Sequence, residues 1–172
     1  MLHNKVSYIS SDDLEPLTGK NPDKVLQQAL LDLVSSPDWN IQFEACNIVR
    51  RVCKFHQQLV VQSGATLHSL VKQLCKLADS LRSSLSKIAL ITIRDMFENL
   101  KRCMETYMDP LMKILLKKVA DTSVFISEEA HAALIAMTVN CSDKKVLNLL
   151  LTQSSKSTSC RLHVCNCLQQ LV

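Results

Sequence analysis

The chain has 172 residues, enough for one sizeable core or a run of stacked units, and contains only 2 glycines, 4 prolines and 4% aromatic residues. That composition leaves little material for tight turns or sheet and excludes a strand-rich fold. The net charge of +4 comes from interspersed acids and bases, which gives a mild bias toward an acidic partner and falls short of the concentrated positive field of a nucleic-acid platform.

Residues 1–20 include Asp12, Asp13 and Glu15 and lack an apolar run, so they read as a partly disordered N-terminal extension and not as a signal or transit peptide. From there the 3.6-residue period predicts helices over roughly 22–35, 37–56, 66–78, 81–101, 105–119, 124–140, 142–152 and 157–171. Asn21-Pro22 and Ser36-Pro37 each put a capping side chain before a proline at the first helical position. Pro110 falls in the first turn or two of its helix and is a candidate kink. Short connections favour antiparallel neighbours. No apolar stretch approaches the roughly 20 residues a membrane span needs.

The second helices of successive pairs overlay in register. Ile41, Ala45, Ile48, Val49 and Val52 correspond to Leu85, Ala89, Thr92, Ile93 and Met96, then to Ile126, Ala130, Ala133, Leu134 and Met137, and finally to Cys160, Val164, Cys167, Leu168 and Leu171. A small residue recurs at Ala45, Ala89 and Ala130. Irregular repeats of this size, two helices each, are the signature of an all-α solenoid of about four HEAT-type helix pairs over residues 21–172.

Catalytic chemistry has no recognisable constellation here: there is no phosphate-cradling glycine loop, serine elbow or zincin motif. Cys160, His163, Cys165 and Cys167 offer zinc-type ligands, but on a helix Cys165 points away from the other three, so the four cannot converge on one ion. No metal and no cofactor is expected. The 8 cysteines follow no secretory leader and read as reduced thiols of a cytosolic protein, with Cys46 and Cys53 packing on one helix face. Arg50, Arg51 and Lys54, like Lys113, Lys117 and Lys118, read as solvated helix faces. With 1 Trp, 2 Tyr and 4 Phe, stacking aromatics for nucleic acid are scarce. Trp39 stands apart: it sits in the first turn of its helix beside a short loop, offset from the core stripe, and tryptophan is the residue most enriched at binding hot spots.

Leu14-Glu15-Pro16-Leu17, Asn21-Pro22 and above all Ser36-Pro37-Asp38-Trp39 resemble the opening of TOG domains of the CLASP and crescerin type, and Leu81 to Ala89 is similar to their second-repeat signature. The resemblance implies a non-enzymatic module that binds the tubulin heterodimer or microtubules through the loops inside its repeats and regulates polymer growth or stability. Trp39, Arg82, Ser123, Lys156 and Arg161 would then contact tubulin, with Trp39 as the anchor and the basic residues meeting acidic side chains. A cytoplasmic, cytoskeletal setting follows, with a cilium or axoneme implied by the crescerin type. The third turn lacks the family's basic residue, the fourth lacks its Asn-Pro, and four pairs stand where six are usual. An array incomplete at its C-terminal end leaves Val164, Leu168 and Leu171 for self-association. The alternative reading is a HEAT scaffold that holds a protein or peptide in its groove.

Overall fold

Asn21 and Pro22 start the first helix as their chemistry dictates. In the computed structural model, which describes residues 7–19, 21–153 and 161–170, the Asn21 side chain accepts hydrogen bonds from the Asp23 and Lys24 amides at 3.0 and 3.3 Å. Pro22 takes the first helical position, where a missing N–H leaves no bond unmade. This helix, α1 (Pro22–Ser35), buries Leu26, Ala29 and Leu33. The next, α2 (Trp39–Phe55), starts later than the sequence suggests. Its cap is Asp38, whose carboxylate accepts from the Asn40 amide at 2.8 Å, while Ser36 Oγ accepts from the Asp38 amide at 3.2 Å and so shapes the turn.

There follow α3 (Gln57–Val61), α4 (Gly64–Ala78), α5 (Ser83–Leu100), a 3₁₀ segment over Lys101–Tyr107, α6 (Met108–Val119), α7 (Val124–Asn140), α8 (Asp143–Gln153) and α9 (Arg161–Gln169). The 3₁₀ segment replaces the expected helical start at 105. It opens at Lys101, whose φ of 49° costs a non-glycine residue about 1 to 3 kcal/mol, and no glycine marks the break in the sequence. Pro110 is the third residue of α6, within the turn where helix donors are free, so no kink is needed.

The helices form two layers. In one, α1, α4, α6 and α8 contact one another in succession; in the other, α2, α5, α7 and α9 do so. This is an all-α solenoid of HEAT-type pairs, with no strand among the described residues. The stripes predicted on α5 and α7 are buried at every position named. On α2, Ala45, Val49 and Val52 are buried, but Ile41 is 44% exposed and Phe43 turns inward in its place, where Tyr8 packs on it edge-on at 5.5 Å. On α9, Val164 and Cys167 are buried and Leu168 is half-buried, so Val164 is covered and not open to a second copy. Cys160 and Leu171 lie outside the described residues.

One basic residue read as a solvated face is instead the largest fully buried side chain. Arg50 is 0% exposed; its Nε donates to Asp95 Oδ2 at 2.6 Å, Nη1 to Asn47 at 3.2 Å and Nη2 to the Ile9 carbonyl at 2.8 Å. Local sequence pattern hides this, because a buried arginine and a surface one look the same until a carboxylate from another helix faces it. Part of the segment read as an extension therefore completes the interior: besides Ile9, Ser11 Oγ donates to Asp95 Oδ1 at 2.6 Å, and Leu14 is buried.

Between α7 and α9 the His131 and His163 rings meet edge-on at 4.7 Å, and Nδ1 of each is sheltered without a hydrogen-bond partner. Burial, then the His163 charge, holds His131 below its ordinary value of 6.5. An imidazole whose folded pKa is depressed contributes stability that is present above the unfolded value and is lost as pH falls from there toward the folded one. The melting temperature is expected to drop between pH 7 and 5.5, and His131→Gln to flatten that slope in a calorimetric pH series.

Candidate protein-binding edge

The turns from first-layer to second-layer helices share one construction. Ser36 Oγ accepts from the Asp38 amide and Ser80 Oγ from the Arg82 amide, each at 3.2 Å, and Asp121 Oδ1 accepts from the Ser123 amide at 3.0 Å. In each, a short oxygen-bearing side chain bonds the amide two residues on, the local turn these residues favour. Four residues past each cap a second bond closes back over the turn: Gln42 to the Ser36 carbonyl at 2.9 Å, Ser86 to Ala78 at 2.7 Å and Ser127 to Val119 at 2.7 Å. These stapled turns hold the starts of α2, α5 and α7 on one edge of the stack.

On that edge the structure brings two of the sequence-derived residues together. The Arg82 guanidinium lies over the Trp39 ring, 4.6 Å from its centroid, although the two belong to different repeats. Trp39 is half-buried against the core and Arg82 is exposed. A cation stacked on an exposed indole contributes about 0.5 to 1 kcal/mol, enough to bias the indole toward one orientation before any partner arrives. Ser123 caps the third turn, but its Oγ is sheltered without a hydrogen-bond partner, so it shapes the edge and does not present a hydroxyl to it. Lys156 lies outside the described residues; Arg161 begins α9, and its side chain is likewise outside them.

The edge also carries apolar residues that the periodicity reading passed over. Leu81 stands fully clear of the fold beside Arg82, and Val124 and Phe125 are 68% and 45% exposed beside Ser123. Lys87 ties the second and third starts together, with its Nζ 5.7 Å from the Phe125 centroid and 3.5 Å from Glu129. The signal was available: these residues are apolar, sit at helix starts and fall off the core stripe. Of the basic residues nearby, Lys117 and Lys118 are paired with Asp79 at 2.7 and 3.7 Å. The Lys117 hydrogen bond holds the Asp79 carboxyl below its usual value. Arg82 has no carboxylate partner among the described residues, so its charge is free to meet one.

No group of three or more His, Cys, Asp or Glu side chains is arranged for a metal among the described residues, and Cys160 is outside them. The buried Cys46 and Cys141 and the half-buried Cys75 are poor nucleophiles: desolvation pushes Cys46 up to about 12 and Cys75 and Cys141 up to about 11. No described helix is long and apolar enough to cross a membrane.

Comparison with known proteins identifies the family and agrees with the fold. The profile of the family described as CLASP N terminal matches residues 25–172. The mouse TOG array regulator of axonemal microtubules protein 1 is 31% identical over 140 residues, covering 81% of this chain and 8% of the relative. Its human counterpart is 30% identical over 128 residues, 74% of this chain and 7% of that one. The Crescerin-like protein che-12 of Caenorhabditis elegans is 25% identical over 128 residues, 74% of this chain and 10% of the relative. The chain thus spans a tenth or less of the length of these relatives. A crystal structure of an engineered protein superposes with a TM-score of 0.60 at 16% identity, covering 94% of this chain and 78% of that one, a likeness of fold.

Proposed function

The chain belongs to the CLASP N-terminal family, and on that premise we propose that it is a TOG-type module that binds the tubulin heterodimer through the edge bearing Trp39 and Arg82. The observation that carries this reading is the stacked Trp39–Arg82 pair, a half-buried aromatic held in place by a cation with no carboxylate partner among the described residues, flanked by the exposed Leu81, Val124 and Phe125. A hydrophobic anchor inside a charged surround is how protein-binding hot spots are built. Three relatives carry names of TOG array, axonemal or crescerin type, which supports a microtubule-associated role and a cytoskeletal, axonemal setting. The module acts by binding and contributes to polymer growth or stability within a longer array. Lys156 and Arg161 extend the same edge in this proposal, as basic contacts at its fourth turn.

Co-pelleting with microtubules, run beside binding to free tubulin and to DNA, tests the proposal: tubulin in either form should be retained and DNA should not. Arg82→Glu reads the electrostatic part. Rim charges are screened over about 8 to 10 Å in ordinary buffers. The reversal is therefore expected to lower tubulin affinity several-fold at low salt and to converge on the unmodified chain at high salt. Equal loss at every salt concentration would show that Arg82 acts by positioning Trp39 and not by its charge.

A further inference from the structure

A second recognition surface runs from beside the turns along the furrow between α2 and α5. Tyr8 reaches the Ser84 carbonyl and Ser11 reaches Asp95. Those two α5 positions lie about 16 Å apart at the helical rise of about 1.5 Å per residue. Three residues of chain span at most about 11 Å, so only an extended backbone with an outstretched tyrosine covers the distance. The segment is seated as an extended peptide ligand would be.

The contacts that hold it are of two kinds. Arg50 Nη2 donates to the Ile9 carbonyl at 2.8 Å, and Lys54 Nζ donates to the Ser11 and Asp12 carbonyls at 2.6 and 3.2 Å; these bonds read backbone and accept any sequence. Two side chains are read directly. The Tyr8 ring packs edge-on against Phe43 at 5.5 Å with Lys87 Nζ 4.8 Å from its centroid. Three residues on, Ser11 Oγ donates to Asp95 and accepts from Arg94 Nη2 at 3.0 Å. Ser10, Asp12 and Asp13 are exposed, so their identity is free.

The next furrow along is not built this way. Between α5 and α7, repeat register puts Arg94 where Arg50 stands and Ala136 where Asp95 stands. It is lined by Arg94, Glu98, Ile135 and Val139 among others, and its Arg94 bonds the partly exposed Glu129 at 3.3 Å and no buried aspartate of α7. Among the described residues, a fully buried Arg–Asp pair is found in the α2/α5 furrow alone.

The geometry points to the α2/α5 furrow as a peptide-binding site for an extended segment carrying an aromatic residue three places before a serine, occupied in cis by Tyr8–Leu14 and, on exchange, by such a segment of a partner protein. The site does not rest on the tubulin reading, although it adjoins that edge at Ser84, in the first turn of α5, and shares Lys87 with it. Tethering keeps the resident segment at an effective concentration on the order of millimolar, so a partner gains access only where it binds more tightly or the resident is loosened.

A fluorescent peptide of the Ser7–Leu14 sequence, titrated by anisotropy against the full chain, tests this. The chain carrying Tyr8→Ser and Ser11→Gly should bind the peptide at least tenfold more tightly than the unmodified chain. Adding Lys54→Glu to the loosened chain should undo that gain, and a scrambled peptide should bind neither. No binding by a loosened chain that still melts cooperatively, equal binding by both chains, or binding that survives Lys54→Glu would each overturn the proposal. If the double variant does not fold, Tyr8→Ser alone is read against the same outcomes, since it leaves the Ser11–Asp95 bond in place. In the unmodified chain, excess peptide should speed amide exchange at residues 9–14, and unchanged protection counts against exchange.

Discussion

Asp95→Ala is expected to cost about 3 to 5 kcal/mol of stability, because it strands a guanidinium that has no route to water. Arg50 is 0% exposed, and Asp95 takes its Nε at 2.6 Å while also accepting from Ser11. Removing the carboxylate leaves the arginine charge with only the neutral oxygens of Asn47 and Ile9. For a domain of this size each kcal/mol shifts the melting temperature by roughly 2 to 4 °C, so a fall of about 6 to 20 °C is the expected result. The double change Arg50→Met with Asp95→Leu removes both charges and should recover much of the loss, since apolar replacement of a whole buried pair is often neutral. A single Asp95→Ala chain melting within a degree or two of the unmodified one would mean that water reaches the pair.

Trp39→Ala should weaken tubulin binding by about 2 kcal/mol or more, close to a 30-fold rise in Kd, as truncation of a hot-spot tryptophan does. Half-burial of the ring and the loss of its stack with Arg82 will lower stability as well, but by less than the about 3 to 5 kcal/mol of a core tryptophan. Melting temperature and affinity measured on the same variant separate the two roles. A folded variant with unchanged affinity, or a stability loss of core size, removes Trp39 as the anchor.

Much of this fold was legible in the sequence because its signals are local. Asn21-Pro22 caps α1 as read, and the stripes of α5 and α7 are buried position by position. Where reading failed, a distant group decided the outcome. Ile41 fits the i, i+4 pattern, yet Phe43 is turned inward to a tyrosine 35 residues earlier in the chain. Arg50 fits a solvated face, yet a carboxylate 45 residues away draws it inside. The break at Lys101 has no glycine to announce it. At the edge, Trp39 stood out by residue type alone, but its pairing with Arg82 spans two repeats and no spacing rule connects them. Leu81, Val124 and Phe125 were passed over because a search for core stripes discards apolar residues that fall outside them.

The Ser11–Asp95 bond joins residues 84 apart in the chain, and that separation has a consequence during synthesis. At roughly 5 to 20 residues per second, Ser11 waits about 4 to 17 s before its partner Asp95 on α5 exists. For the last 45 residues of that interval, about 2 to 9 s at the same rate, the nascent first pair holds an arginine with no carboxylate to meet it, so α2 cannot be sealed into a finished interior as it is made. Repeat arrays can ordinarily begin folding at any unit and spread outward. Here the first two units must mature together, and a ribosome paused before codon 95 would display an unfinished α2 to whatever chaperones attend it.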